Sequence, residues 1–384
     1  MRITKQCAVY AVMAGVMILA SPVPETIAGA NQYDGTAYVA GMGGHFAVAQ
    51  FHIDPSADSP ITVKSLDMIE IGDRDSHPTH DTRIDYKDRN TMFWSTYLMD
   101  EDADNQAHVG ITDLRTGEKI KDVPIAIPDQ VLNKSKVYCA SGQTEDFYMP
   151  VSMSQPGYIS VIRKSDMKLM HQVFLEGTEA DIKVAYKFMH GVTSPDMKEM
   201  LITLNESDAT LGTKDFGNAI GKMHMFVLDT ASLVQGKVKV LRSGIADGNF
   251  KSTVSFRQYY SPDGKYISNA TGDILFLIDS ATLEVVDAEP MAKLEQTHDA
   301  IFTPDSKYVI ATSRTKATTP DCSDPGNPKD GEWRMDGQLK LYDVNARKFV
   351  GKPVSTCLAC HDEQIGTDED APHAVLCGID VNWM

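Results

Sequence analysis

Apolar and polar residues alternate in short runs along most of this chain, a pattern typical of β-strands joined by tight turns. Runs such as 199–204 and 308–312 are rich in residues that favour strands. One turn signal, Ser or Thr followed by Pro-Asp and then Lys, recurs at 194–198, 261–265 and 303–307. Pro presets φ for a turn and Asp hydrogen-bonds its own backbone two residues on, so each copy predicts a hairpin.

A second pattern is a strand that ends in Asp and is followed by a short turn with Thr, Ser or Asn before the next strand. Its six copies, two of them weaker, are spaced by 50 to 64 residues and end at Asp54, Asp113, Asp166, Asp229, Asp279 and Asp343. In the last three intervals the two patterns alternate, so one repeat contains two hairpins. Two hairpins make a four-stranded antiparallel sheet, which must stack on its neighbours to bury both faces.

These repeats predict an all-β chain, a β-propeller of four-stranded antiparallel blades. Six blades are visible, and a seventh could lie within 124–136 or 177–187. Residues 373–381 read as an inner strand whose partners are 36–40 and 45–53, so pairing of the N- and C-terminal strands would close the ring. The alternative, a β-sandwich with inserted loops, does not explain repetition at blade length throughout.

The first thirty residues read as a secretory signal peptide. Arg2 and Lys5 provide a positive start, residues 8–20 an apolar stretch, and residues 28–30 a small-residue cleavage site. The apolar stretch is shorter than the roughly 20 residues of a membrane-spanning helix. We therefore predict an exported chain, with residues 1–30 removed and 31–384 forming one propeller domain without a membrane span. The alternative is an uncleaved N-terminal anchor.

The composition indicates a folded protein with a strongly acidic surface. Apolar residues make up 42% of the chain, and the formal net charge is −17, which becomes −18 when the two basic residues and one acidic residue of 1–30 are lost. Such a charge repels nucleic acid and anionic membranes and favours solubility or basic partners. We expect no nucleic-acid partner.

The sharpest motif is Cys357-Leu358-Ala359-Cys360-His361. C-x-x-C-H is the attachment pattern of c-type haem, in which the histidine becomes the proximal iron ligand. The alternative is that Cys357 and Cys360 form disulfides with Cys322 or Cys377. Loss of Cys7 leaves five cysteines, an odd number that cannot all pair within the chain. With haem attached, Cys322 and Cys377 could bridge a long loop to the closing blade, and Cys139 would remain free or bond outside the chain.

Four histidines each open an inner-strand run and could converge near a central channel: His80, His190, His298 and His373. Converging histidines can bind a metal or ligand, or each can bond the neighbouring blade. His77 and His80, flanked by Asp75 and Asp81, form the densest set of potential ligands outside the cysteine motif. They predict a zinc or calcium-type site. No nucleophile elbow, phosphate-binding loop or paired-carboxylate signature is present.

Segments 38–49 and 76–83, in an exported propeller of this length, resemble the beta subunit of hydrazine synthases from anaerobic ammonium-oxidising bacteria. The resemblance implies a complex that condenses nitric oxide and ammonium to hydrazine, with c-type haems in its alpha and gamma subunits. The beta propeller would be an accessory subunit of this oxidoreductase without a catalytic centre, modulating transfer of a hydroxylamine intermediate. It implies the anammoxosome lumen as location; without it, the periplasm is expected.

Such a role predicts a partner or tunnel loop, and 245–260 is the candidate, with Lys251, Arg257, Tyr259 and Tyr260 as contacts; an ordinary blade connection is the alternative. The resemblance implies no haem in this subunit, so the C-x-x-C-H motif would serve a disulfide. Two other functions stay open. One is a monohaem c-type electron-transfer protein, and the other a haem d1 pathway propeller whose channel histidines bind a tetrapyrrole.

Overall fold

The computed structural model describes residues 31–40, 43–73, 75–100, 105–293, 295–315, 336–355 and 377–384. Within these ranges the chain forms twenty-four strands and one short helix, α1 (Thr230–Leu233), so the predicted all-β class is confirmed. None of the described helical residues forms a segment long and apolar enough to cross a membrane. The predicted signal peptide, the C-x-x-C-H motif, Cys322 and His373 lie outside the described residues.

The strands form four-stranded antiparallel sheets, as predicted. The first sheet contains β1 (Tyr33–Ala40), β2 (His45–Ile53), β3 (Ile61–Glu70) and, from the other end of the chain, β24 (Cys377–Trp383). The second contains β4 (Thr79–Ile84), β5 (Thr91–Thr96), β6 (Gln106–Asp113) and β7 (Glu118–Ala126). The third contains β8 (Tyr138–Gln143), β9 (Phe147–Ser152), β10 (Tyr158–Arg163) and β11 (Lys168–Phe174).

The fourth sheet contains β12 (Tyr186–Thr193), β13 (Glu199–Ser207), β14 (Ala219–Asp229) and β15 (Val240–Asp247). The remaining strands form two four-stranded parts that are joined by a single residue pair, Gly272 with Thr297. The fifth contains β16 (Thr253–Tyr260), β17 (Tyr266–Gly272), β18 (Ile274–Asp279) and β19 (Val285–Pro290). The sixth contains β20 (Glu295–Phe302), β21 (Tyr308–Thr315), β22 (Asp336–Asp343) and β23 (Lys348–Ser355).

The turn chemistry read from the sequence is present in the structure. Between β16 and β17, Asp263 Oδ1 accepts hydrogen bonds from the Ser261 hydroxyl at 2.7 Å and from the Lys265 N–H at 3.1 Å. The same pattern holds the turns at Asp196 and Asp305. Each carboxylate satisfies turn donors that the strands leave unpaired, so the predicted hairpins are confirmed.

One strand of each sheet contacts the corresponding strands of its neighbours, and we call these the inner strands. They contact one another in the order β4, β8, β12, β16, β20 and β24, and β24 also contacts β4. Strand β24 pairs with β1 through Ala37 opposite Val381 and Val39 opposite Ile379, so the predicted N- and C-terminal strands do pair. Apolar clusters fill the space between neighbouring sheets, as where Met149 and Val151 meet Ile202.

Candidate functional site

The inner strands bring buried polar side chains together, and we call this set the central cluster. Its members come from strands β4, β12, β16 and β20 and are His80, Asp81, His190, Arg257, Tyr259, His298 and Asp299. All are at most 5% exposed. Buried polar groups are costly unless they are hydrogen-bonded, so the bonds within the cluster decide what it does.

An ion pair joins two inner strands that are not neighbours. Arg257 Nη1 of β16 donates to Asp81 Oδ1 of β4 at 2.8 Å, and Arg257 Nη2 donates to the carbonyl oxygen of His80. The side chains are 2% and 0% exposed. Burial opposes the charge, but the neighbouring Cys139, Asp81 and Asp299 hold the pKa of Arg257 well above its ordinary value. This buried pair therefore ties β16 to β4 directly.

Asp299 ties three inner strands together. Its Oδ2 lies 2.7 Å from His298 Nδ1, while its Oδ1 accepts hydrogen bonds from the Tyr259 hydroxyl at 2.7 Å and the Ile379 N–H at 3.2 Å. The Tyr259 hydroxyl also lies 2.7 Å from the carbonyl oxygen of Ile379. Burial, reinforced by Asp299, raises the pKa of Tyr259 well above its usual value, so the phenol stays protonated and donates. β24 is thereby fastened to β16 and β20.

The three described histidines of the predicted channel set do lie near one another. The His80 ring stacks on Tyr97 with centroids 4.3 Å apart and meets the His298 ring edge-on at 6.0 Å. His190 is fully buried, and neither ring nitrogen has a hydrogen-bond partner among the described residues. Burial, with Arg257 and His298 nearby, lowers the pKa of His190 well below its usual value, so the ring is neutral.

A neutral imidazole can accept or donate a hydrogen bond or bind a metal. Among the described residues, however, the histidines of the central cluster do not form a group of three ligand atoms close enough to share one metal ion.

His77 does not join His80 but lies with two residues that the sequence analysis missed. His77 Nε2 is 2.7 Å from Asp122 Oδ2, and His108 Nδ1 is 2.7 Å from Asp122 Oδ1. We call this group the His77–His108–Asp122 cluster; its three ligand atoms all lie within 4.8 Å of one another. Burial opposes ionisation of Asp122, but hydrogen bonds from His108, His77 and Lys119 hold the pKa of its carboxyl well below the usual range.

The register explains how these residues meet. Gly110 of β6 pairs with Asp122 of β7, which places the side chains of His108 and Asp122 on one face of the second sheet. His77 reaches this face from the connection between β3 and β4. Of the flanking acids, Asp75 is exposed and Asp81 pairs with Arg257 instead. Only the pairing of β6 with β7 could have identified His108 and Asp122 from the sequence.

No family model and no characterised protein sequence matches this chain. Solved structures do resemble it. A hydrazine synthase chain of Kuenenia stuttgartiensis is 17% identical with a TM-score of 0.43, over 69% of this chain and 62% of that chain. A chain of a mitotic checkpoint complex is 11% identical with a TM-score of 0.47, over 91% of this chain and 89% of that chain. The protein thus spans about three fifths of the hydrazine synthase chain that it matches.

The four residues predicted as partner contacts are divided between surface and interior. Lys251 is exposed in the connection between β15 and β16. Arg257 and Tyr259 are 2% and 4% exposed and belong to the central cluster, and the Tyr260 hydroxyl is buried. These three residues lie on β16 rather than in a loop. β16 is an inner strand enclosed by its neighbours. Of these four residues, only Lys251 is exposed and so placed to contact another protein.

Of the cysteines, Cys139 is 1% exposed on β8, beside Arg257. Cys377 is the first residue of β24, and of this residue only the backbone is described. Cys357, Cys360 and His361 lie outside the described residues, so haem attachment and disulfide pairing there stay predictions.

Proposed function

We propose that the chain is a closed six-bladed β-propeller that serves as a non-catalytic scaffold subunit of an exported redox complex. Six four-stranded sheets, the contact order of their inner strands and the pairing of β1 with β24 support the ring. In such a ring β4 and β16 stand opposite each other, so the Asp81–Arg257 pair would span the centre. The central cluster would then hold the frame, and binding would take place on the surface.

The observation that carries the scaffold role is an exposed apolar group on β15 and the turn after it. Leu241, Ile245 and Phe250 are 41%, 54% and 60% exposed. Exposed residues alternate with more buried ones from Leu241 to Asp247 of β15, so Leu241 and Ile245 both lie on the exposed side of the strand. Three large apolar side chains exposed within ten residues make this segment the candidate for an interaction site. We call these three residues, with Lys251, the β15 surface.

The charge around the β15 surface differs from that of the rest of the chain. Residues 236–251 contain four basic side chains and one acidic one, a net charge of +3 in a chain of net charge −17. Arg242 is engaged by Glu199 at 2.7 Å, and the Lys251 ammonium lies 5.3 Å from the centre of the Phe250 ring. β15 is also the last strand in its sheet. An apolar centre with a basic rim fits a partner that presents apolar and acidic groups.

We infer from the resemblance of segments 38–49 and 76–83 that this complex is a hydrazine synthase. Its haem-bearing alpha and gamma subunits would be the partners, and the propeller would modulate transfer of a hydroxylamine intermediate between them. The secretory signal supports export, to the anammoxosome lumen in that family or otherwise to the periplasm.

Co-purification tests the scaffold role. The native chain, isolated from its source organism, is expected to bring haem-bearing partners with it. The double variant Ile245→Asp, Phe250→Ser should weaken capture of those partners about 30-fold, since loss of a buried aromatic or aliphatic anchor costs about 2 kcal/mol.

Leu132→Asp is the matched control, because Leu132 is also 54% exposed but lies between β7 and β8. Its capture of partners should equal that of the unmodified chain. A chain that purifies alone, or a double variant that captures partners as well as Leu132→Asp does, would show that the β15 surface is not a scaffold contact.

The C-x-x-C-H motif favours a second candidate, a monohaem c-type electron-transfer protein. In a host with haem-attachment machinery, the exported chain is then expected to gain the mass of one haem, and Cys357→Ser with Cys360→Ser should remove it. An intact mass equal to the polypeptide, or reduced by the hydrogens lost to disulfides, would contradict this candidate.

A further inference from the structure

We propose that the His77–His108–Asp122 cluster binds one divalent transition-metal ion, of which Zn²⁺ is the representative. This site is independent of the scaffold role, because it lies on the second sheet and not on the β15 surface. Its two imidazole nitrogens and one carboxylate oxygen lie within 4.8 Å of one another, and each nitrogen is 2.7 Å from an oxygen of the Asp122 carboxylate.

The donor set favours a borderline transition metal over a hard cation. Imidazole nitrogen and carboxylate oxygen are ordinary ligands of Zn²⁺, whereas Ca²⁺ takes six to eight oxygens. Three protein ligands leave a fourth tetrahedral position for water or another ligand. The exposed acidic side chain nearest in sequence, Asp75, is not required for the site.

The far nitrogen of each imidazole faces an oxygen, as in metal sites where a second group orients the ligand ring. Ser76 Oγ lies 2.7 Å from His77 Nδ1. Asp100 Oδ2 lies 3.6 Å from His108 Nε2, which is buried. The His77 ring is therefore held from behind by a hydrogen bond with Ser76, whereas His108 Nε2 has a carboxylate within ion-pair distance but no hydrogen-bond partner among the described residues. The other nitrogen of each ring lies 2.7 Å from the Asp122 carboxylate.

Burial and packing keep the ligands in place. His77 and His108 are 8% and 9% exposed, their ring centroids are 4.5 Å apart, and His77 packs edge-on against the fully buried Trp94. Lys119 Nζ also contacts Asp122, at 2.8 Å. Its side chain is one-third exposed and flexible, so it can turn to solvent when an ion takes its place.

A bound ion would join the connection before β4 to β6 and β7. The ligands come from three segments that are up to 45 residues apart, and all three are deprotonated when they bind a metal. Because the unfolded chain has no such site, metal binding would stabilise the second sheet.

The test is a Zn²⁺ titration by calorimetry of the mature chain carrying Cys357→Ser and Cys360→Ser, which removes the paired thiols of the C-x-x-C-H motif, after treatment with a chelator. We expect one Zn²⁺ per chain. His108→Ala and Asp122→Asn should each weaken binding by more than the roughly 10- to 100-fold that loss of an orienting partner costs. The matched control is His224→Ala, since His224 Nε2 lies 2.7 Å from Glu206 Oε2 in a pair with no third ligand in the part of the chain that the structure describes. It should leave the affinity unchanged.

A second measurement needs no ligand variant and so does not depend on how the variants fold. Co²⁺ added to the same cysteine-replaced chain is expected to give the intense visible absorption of a tetrahedral site with nitrogen and oxygen ligands. The absence of Zn²⁺ binding, equal affinity in His108→Ala, or a Co²⁺ spectrum of the hydrated ion or of a thiolate site would overturn the proposal.

Discussion

Arg257→Met is expected to lower the free energy of unfolding by about 3–5 kcal/mol, because it leaves the Asp81 carboxylate buried without its cation. Asp81 is 0% exposed and would keep only the hydrogen bond from the Tyr148 hydroxyl at 2.8 Å. The lost guanidinium also donates to the carbonyl oxygen of His80, so β4 loses a second tie to β16. Urea unfolding of the mature chain, followed by circular dichroism, measures the change.

Two further variants isolate the buried charge as the cause. Arg115→Met removes the same side chain from a pair with Asp113 of similar length, 2.6 Å, but Arg115 is 67% exposed, so no measurable change is expected. The double variant Asp81→Leu, Arg257→Met should be more stable than Arg257→Met alone, because it leaves no unpaired charge. If Arg257→Met unfolds at the same urea concentration as Arg115→Met, the pair does not tie the inner strands together.

Gly378→Ala is expected to destabilise the fold by about 2–5 kcal/mol, the sum of left-handed backbone strain and overpacking. Gly378 of β24 has φ +66°, and a Cβ there would lie 2.5 Å from the carbonyl oxygen of His80 and 2.6 Å from Arg257 Nη2. The backbone of the terminal strand therefore lies against the central cluster too closely for a side chain. Thermal or urea unfolding measures the effect.

Gly264→Ala supplies the comparison, because Gly264 also has a positive φ of +74° but nothing lies within 4 Å of its Cβ position. It carries the backbone strain alone, about 1–2 kcal/mol. The difference between the two variants measures the close approach of β24. Equal destabilisation of both would contradict the close packing of β24 against His80 and Arg257.

The strands could be predicted because the features that specify them are local. Pro-Asp turns form their hydrogen bonds within two to five residues, as Ser261 and Asp263 do, so the hairpins were visible in the sequence. The pairing of β24 with β1 was also predicted, because residues 373–381 read as an inner strand that needs partners in its blade, and residues 36–40 and 45–53 supply them. The all-β class followed from the hairpins and from the pairing of the terminal strands.

The candidate sites were predicted less completely. His77 was identified as a potential ligand, but its partners are His108 and Asp122 rather than His80, since cross-strand register decides which distant residues meet. Arg257 and Tyr259 were assigned to a partner loop, yet both are buried. Polar residues usually indicate an exposed segment when only the sequence is read. An inner strand is enclosed on both faces, however, so its polar residues are buried.

The sequence by itself determined the turns and the strands between them, and it contains the cysteine motif and predicts the export signal, because each depends on residues that are close along the chain. Only the tertiary structure decided that Asp81 meets Arg257 from 176 residues away, and that His190 is buried without a hydrogen-bond partner among the described residues. Such contacts depend on how the sheets pack against one another. These are properties of the whole assembled chain, and a local pattern carries no information about them.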